Sequence, residues 1–377
     1  MCNHLGRTVV CALLFALSPA LAWAEPDGPY LLPADADGWT AHWVEPDGEG
    51  IQVRREPATV GEEIAVPAIG ALPKFSVRLR GPAEIAPDEL ALPSETPLLV
   101  IADTHGEYEI LVELLRSQGV VDERLAWSFG TGHVVFLGDV FDRGAQQTEI
   151  LWLLYQLEAE AARAGGGLHL LLGNHEALVL RGDERYLNPK YLRTAEALGV
   201  GAYADLFSAD TPLGLWLRTR AAVLKLDGLL LLHGGVSPEV VRRGLAPAQL
   251  NRAVRDVLAG DADPVESDLH GFVMGADGQL WYRGYFPRGD ASPGVTDADL
   301  AAALRHFGVD TILVGHTIVP EVTPLYGGKV IAVQVYPRRD EETGEALLGA
   351  VLREDGRWYR ADVDGTRAPL QVEKASN

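Results

Sequence analysis

The chain has 377 residues, 47% apolar, 23% charged and 7% aromatic, which excludes disordered, collagenous and coiled-coil classes and leaves ample material for a buried core. Its 32 Lys and Arg face 53 Asp and Glu, a formal net charge of −21. So acidic a surface repels nucleic-acid backbones and anionic bilayers alike, and neither is expected as a partner.

Residues 1–24 carry one basic side chain, Arg7, then an apolar stretch from Thr8 to Ala22 broken by Pro19, then Ala22-Trp23-Ala24 before Glu25. A short basic region, an apolar run too short to span a bilayer, and small residues at −3 and −1 predict a cleavable secretory signal. Val10 rather than a small residue precedes Cys11, which argues against a lipid-anchored cysteine. Both cysteines, Cys2 and Cys11, lie in this segment, so the mature chain has no thiol, disulfide or Cys-ligated zinc. The expectation is an exported, periplasmic protein of net charge −22, without a membrane anchor once the signal is cleaved. Nothing in the sequence sets an oligomeric state.

Eleven of the 23 prolines fall between Pro26 and Pro97. The alternation Phe75-Ser76-Val77-Arg78-Leu79-Arg80 puts apolar side chains on one face of a strand, and Pro46-Asp47-Gly48 reads as a turn. Residues 25–95 are therefore expected to form a small β-rich accessory segment, with no visible catalytic constellation.

From residue 98 the pattern changes. Short apolar runs at 98–102, 134–137, 168–172, 229–232 and 311–314 each end in a polar, Gly-containing cluster. The first three are followed by helical stretches, such as 146–164 with Ile150, Leu153, Leu154 and Leu157 on one face. Strand, polar turn, helix, strand is the pattern of α/β architecture, in which loops at the C-terminal strand ends carry the site. Asp355-Gly356 between two apolar runs predicts a late hairpin.

The clusters are Asp103-Thr104-His105-Gly106, then Gly138-Asp139-Val140-Phe141-Asp142-Arg143-Gly144, then Gly173-Asn174-His175-Glu176, then His233-Gly234-Gly235 and Gly315-His316-Thr317. Each alone has an ordinary explanation: an Asp after a strand caps a helix, an Asp beside Arg is a solvated pair, and a lone His is a hydrogen-bonder. Their conjunction is harder to dismiss. Five strand ends each deliver Asp, Asn or His, while His42, His133, His169, His270 and His306 lack such a context and are assigned structural or surface roles. Carboxylate oxygen with imidazole nitrogen suits Mn, Fe or Zn better than an all-oxygen Mg or Ca cage. Two such ions need a bridging carboxylate and can hold hydroxide in line with phosphorus; Asp139 is the candidate bridge.

These motifs resemble those of the calcineurin-type metallophosphoesterases, and within them the phosphoprotein-phosphatase superfamily. The order Asp-x-His-Gly, Gly-Asp-x-x-Asp-Arg-Gly, Gly-Asn-His-Glu, His-Gly-Gly and Gly-His runs over residues 102–316. The Shewanella-like protein phosphatases are closer still, on the export signal, Gly182-Asp183-Glu184-Arg185-Tyr186 and Trp281-Tyr282-Arg283-Gly284-Tyr285. The resemblance covers roughly 98–335 and says nothing of 25–95.

It implies a four-layer α-β-β-α sandwich over residues 96–377 and two transition-metal ions. Asp103, His105 and Asp139 would hold the first ion, and Asp139, Asn174, His233 and His316 the second. It further implies His175 as general acid paired with Asp142, and Arg143, Arg283 and Asn174 as phosphate ligands. Three departures stand out: Ala102 replaces the usual Gly, Ile318 stands where many non-protein-phosphatase relatives have a further His, and the run 330–336 lacks an acidic residue, leaving Tyr336 as a substrate-side candidate. The expected activity is hydrolysis of phosphoprotein or phosphopeptide monoesters, with phosphotyrosine plausible on the resemblance. The alternatives are small phosphoesters or dinucleoside polyphosphates, and a non-catalytic metal- or phosphopeptide-binding module.

Overall fold

A computed structural model describes residues 25–34, 38–48, 50–85, 96–260, 267–287 and 294–372. The expected signal, residues 1–24, lies outside the described residues, as do 86–95 at the expected segment boundary. No helix among the described residues is long and apolar enough to cross a membrane.

Two sheets face each other. In the first, Leu98–Ile101, His133–Phe136 and Gly167–Leu170 run parallel, joined by the crossover helices Tyr108–Ser117 and Gln147–Arg163. Ala350–Glu354, Arg357–Ala361 and Arg367–Pro369 extend it antiparallel from the Leu98–Ile101 edge. The second sheet has the order Thr323–Leu325, Val330–Ala332, Thr311–Val314, Leu229–Leu232, Val223–Leu226.

Period-2 alternation makes this a four-layer structure. Leu98, Val100 and Val135 face Leu229, Leu231, Leu313 and Ile331 between the sheets. Their neighbours Leu99, Ile101, Val134 and Phe136 turn outward into a second core with Leu111, Leu151 and Leu154 of the crossover helices. On the far side Leu230 and Ile312 share that outward orientation with Leu250, Val254, Leu300 and Phe307. Strands buried on both faces read as unbroken apolar runs, which is why these runs were visible in the sequence.

The N-terminal residues form the three-stranded antiparallel sheet Asp27–Pro33, Trp39–Asp47, Gly50–Ala58 and the pair Glu63–Val66, Phe75–Arg78. This β-rich segment is seated on the α/β body rather than set apart from it. Tyr30, Trp43, Val66 and Val77 belong to the same apolar cluster as Trp152 and Trp216. Arg80 lies 3.9 Å over the Tyr155 ring and 2.8 Å from Glu158.

The late hairpin forms as expected, with Glu354 opposite Arg357 and both turn residues at positive φ, Asp355 at 49° and Gly356 at 67°. The strand formed in the apolar run 330–336 is shorter than the run itself. It ends at Ala332 because the Val335 amide turns back on the Val333 carbonyl (2.9 Å), and the Gln334 side chain is buried to accept from the Asp103 amide (2.9 Å).

Candidate active site

The five polar clusters converge at the C-terminal ends of the parallel strands, where backbone must turn sharply to aim side chains across the gap between sheets. Among the described residues nine non-glycines have positive φ, and five belong to these clusters: His105, Asp139, Asp142, Arg143 and His316. Such conformations are costly for residues with a Cβ and persist where surrounding structure enforces them. Gly173 is required for a related reason: a Cβ there would overlap an Asp139 carboxylate oxygen.

Glu176 does much of the enforcing. Its buried carboxylate accepts from the amides of Gly173 (2.7 Å), Asp139 (2.8 Å) and Val140 (2.7 Å), tying the second and third clusters together. The sequence marks it as the residue three beyond a helix N-cap, but not the long-range half of its role. Gln147 acts similarly, accepting from the Asp142 amide at 2.8 Å.

The imidazoles are oriented for cations. His233 Nδ1 lies 2.8 Å from the Leu137 carbonyl and His105 Nδ1 2.9 Å from the Phe141 carbonyl. A carbonyl only accepts, so Nδ1 carries the hydrogen in both rings and Nε2 points inward, as in metal-ligating histidines. His233 Nε2 then faces Asn174 Oδ1 at 2.9 Å, Asp139 Oδ2 at 3.1 Å and His316 Nδ1 at 3.1 Å. His316 Nε2 is buried with no hydrogen-bond partner among the described residues. A convergence of lone pairs on buried space fits a cation.

Two groups have ligand-type atoms all within 4.8 Å of one another: His105, Asp139 and His175, and Asp139, His233 and His316. Asp139 belongs to both, where the expected bridge belongs. Asp103 lies at the edge, its oxygens 3.8 Å from both His105 Nε2 and His233 Nδ1, with Oδ1 accepting from the His316 amide. The mixed nitrogen and oxygen donor set suits a transition metal.

The charge balance agrees. Burial pushes Asp103 up to about 7 and His105 down to about 3. Burial works against both Asp139 and His233, but their mutual attraction, reinforced at Asp139 by His175, holds Asp139 well below the carboxylate range and lifts His233 to about 9. A protein-only site therefore resorts to an imidazolium to neutralise Asp139, a place that bound cations would take.

On the rim, His175 Nδ1 lies 2.5 Å from Asp142 Oδ2. Burial opposes the His175 charge, yet Asp139 and the Asp142 hydrogen bond raise its pKa overall. Arg143 Nη2 reaches to 3.5 Å of His175 Nε2. Arg283 Nη1 donates to the His316 carbonyl and Thr317 Oγ1, both at 3.0 Å, and its Nη2 lies 3.5 Å from His316 Nδ1. All the expected site residues thus meet in one cluster. Three rings border it: Tyr186 against His175 (5.3 Å), Tyr336 against His105 (6.1 Å) and Trp281 edge-on to His316 (5.8 Å). Tyr186, 48% exposed, drew no role from its sequence context.

Residues 96–320 match the family model described as calcineurin-like phosphoesterase. The chain is similar to Shewanella-like protein phosphatase 2 of Arabidopsis thaliana, 27% identical over 59% of this chain and 66% of that one. It is likewise similar to Shewanella-like protein phosphatase 1 of Plasmodium berghei, 27% identical over 59% of this chain and 61% of its relative. The match thus falls just short of two thirds of either relative's length. Among solved structures, the cold-active protein-tyrosine phosphatase of a psychrophilic Shewanella species superposes with a TM-score of 0.78 at 35% identity, covering 92% of this chain and all of that one. That is more of the chain than residues 96–377 supply, so the likeness extends into the N-terminal β-rich segment.

Proposed function

This chain belongs to the calcineurin-like phosphoesterase family, and from that membership we propose that it is an exported phosphomonoesterase for phosphorylated peptides or proteins, with phosphotyrosine preferred. The observation that carries the reading is the His175–Asp142 pair, set at 2.5 Å beside a buried cluster of convergent lone pairs. A module that merely held metal or a phosphopeptide would have no use for a proton donor oriented in this way.

Asp103, His105, Asp139, Asn174, His233 and His316 would hold two transition-metal cations such as Mn, Fe or Zn. Bound there, the cations would supply charge neutralisation and an activated water for attack on phosphorus. The remaining work falls to the rim. Arg143 and Arg283 would offer planar forks to the phosphate oxygens, with Asn174 helping. Asp142 fixes the His175 ring through Nδ1, so Nε2, 3.8 Å from Asp139 Oδ2, faces the cluster, where it would give its proton to the departing oxygen. Against the burial that disfavours it, Asp139 and the Asp142 hydrogen bond raise the His175 pKa, which favours the protonated ring.

Phosphotyrosine preference is supported by the rim rings of Tyr186, Tyr336 and Trp281, and by the tyrosine phosphatase similar to this chain at 35% identity. Export is supported by the pattern of residues 1–24. The test is a panel of phosphotyrosyl and phosphoseryl peptides, small phosphoesters and dinucleoside polyphosphates, assayed with defined metals. Turnover led by phosphotyrosyl peptides is expected. Turnover confined to dinucleoside polyphosphates would replace this reading, and none on any ester would refute it. N-terminal sequencing of the periplasmic form should give Glu25 as its first residue.

A further inference from the structure

We propose that Asp27, from the N-terminal β-rich segment, is a positioning residue for the His175–Asp142 pair. This deepens the phosphomonoesterase reading and rests on it.

Asp27 is fully buried and gathers donors from three elements. Tyr30 Oη on its own strand donates to Oδ2 at 3.0 Å. Thr148 Oγ1, in the helix Gln147–Arg163, donates to Oδ1 at 3.1 Å. Thr194 Oγ1, in the helix Pro189–Leu198, donates to Oδ2 at 2.6 Å, and Lys190 Nζ of that helix lies 3.6 Å from Oδ1. One carboxylate thus pins two helices to each other and to the N-terminal sheet.

Those helices hold the loop that carries Asp142 and Arg143. Lys190 Nζ donates to the Ala145 carbonyl at 2.8 Å, and the Gln147 amide donates to Tyr191 Oη at 2.8 Å. Gln147 Nε2 donates to Tyr203 Oη at 2.9 Å, and that hydroxyl lies 3.1 Å from Tyr30 Oη. Just before the second helix, Tyr186 takes the Arg143 amide on its carbonyl (3.0 Å), and Asn188 Nδ2 donates to the Arg143 carbonyl (2.8 Å). The path closes through Gln147 Oε1, which accepts from the Asp142 amide, and Asp142 Oδ2 at His175 Nδ1.

The loop needs such support because Asp142 and Arg143 both sit at positive φ, 72° and 70°, a conformation it would abandon if released. A carboxylate accepts at both oxygens, whereas Asn at position 27 would turn an NH2 group toward either the Tyr30–Thr194 or the Thr148–Lys190 donors. The helices would shift, and with them the orientation of His175. A small displacement of a proton donor is felt most where the leaving oxygen most needs its proton.

The test uses the full chain loaded with metal, as D27N and, should that variant fold poorly, T194V, which keeps the carboxylate and removes one bond. With D27N, kcat for an alkyl phosphate should fall about tenfold or more while nitrophenyl phosphate, whose leaving group needs little protonation, changes by about twofold or less. KM and metal content should stay near wild type. Hydrogen exchange at the Asp142 and Gln147 amides should quicken about tenfold, with sheet amides unmoved. T194V should follow in the same direction with smaller effects. A loss equal on both substrates, or wild-type exchange at those amides in both variants, overturns the proposal by reducing Asp27 to a stability element. A wild-type chain inert toward every phosphoester would sink the phosphomonoesterase reading, and the exchange measurement would still decide whether Asp27 braces the loop.

Discussion

Two buried polar clusters lie on either side of the 142–147 loop, and they solve the same electrostatic problem differently. Around Asp27 and Glu149 the chain supplies its own cation, Lys190, with Nζ 3.6 and 3.9 Å from the two carboxylates. Around Asp103 and Asp139 the ion-pair partners among the described residues are histidines, not lysines. Arg143 and Arg283 reach to 3.5 Å of the histidine rings, and among the described residues imidazoles face the two carboxylates. The first cluster is closed by the protein; the second is left for external cations. Burying carboxylates without compensation is costly, so the difference separates a structural site from a chemical one.

The largest expected effect comes from breaking the open cluster. Removing the cations with a chelator should abolish hydrolysis, with restoration by Mn, Fe or Zn, because no side chain there supplies the nucleophile. Asp139→Asn should lower kcat by about 1,000-fold or more, since both ligand groups share this carboxylate. Full turnover by metal-stripped protein would show that the cluster is closed after all.

His175→Asn sharpens the comparison by leaving the carboxylates in place. Metal content should be retained while kcat drops about 100- to 10,000-fold, with a smaller deficit for nitrophenyl than for alkyl phosphates. A drop equal on all leaving groups, accompanied by metal loss, would move His175 into the ligand set, where its grouping with His105 and Asp139 also allows it. Next in size is Arg283→Lys, which conserves charge but loses the fork. A fall in kcat/KM of about tenfold is expected, with kcat less affected, and steady-state kinetics against phosphate as a competitive inhibitor checks it.

The open cluster was largely legible in the sequence, and the closed one was not. Asp103 and His233 follow an apolar strand run directly, and Asp139, Asn174 and His316 follow one after a single glycine, so a local pattern announces a residue whose partners are far away. Asp27 follows no such run. Its partners Thr148 and Thr194 lie 121 and 167 residues away, and neither threonine nor tyrosine stands out at such positions. The shortened strand ending at Ala332 was hidden for a related reason: its apolar alternation continues to Val335, while the buried contact that ends it is made by Gln334, 231 residues from Asp103. Glu176 falls between the two, its cap position local and its grip on Asp139 not.

The smallest effect expected concerns stability and tests whether the closed cluster is as balanced as its geometry suggests. Burial pushes the Glu149 carboxyl up to about 7, with the Lys190 ammonium pulling the other way. Below the unfolded carboxyl pKa, near 4.5, Glu149 is protonated in both states and the shift has no consequence. Between there and about 7 the unfolded chain ionises first, so the folded state binds more protons and stability falls as pH rises. Above about 7 both states are ionised and the penalty is complete. Glu149→Gln removes the titration but not the side-chain shape. Its stability relative to wild type should therefore rise between those limits by about 1–2 kcal/mol, a fraction of the full shift because Lys190 adjusts to its partner. Urea unfolding of both proteins across this range, in the same metal state, measures that rise. The absolute offset between them is uninformative, since an amide brings its own hydrogen-bonding needs; the slope is the readout. A difference that stays flat from pH 4.5 to 8 would mean that Lys190 keeps Glu149 ionised throughout, and that the closed cluster is a fully paired ion group rather than one holding a proton in reserve.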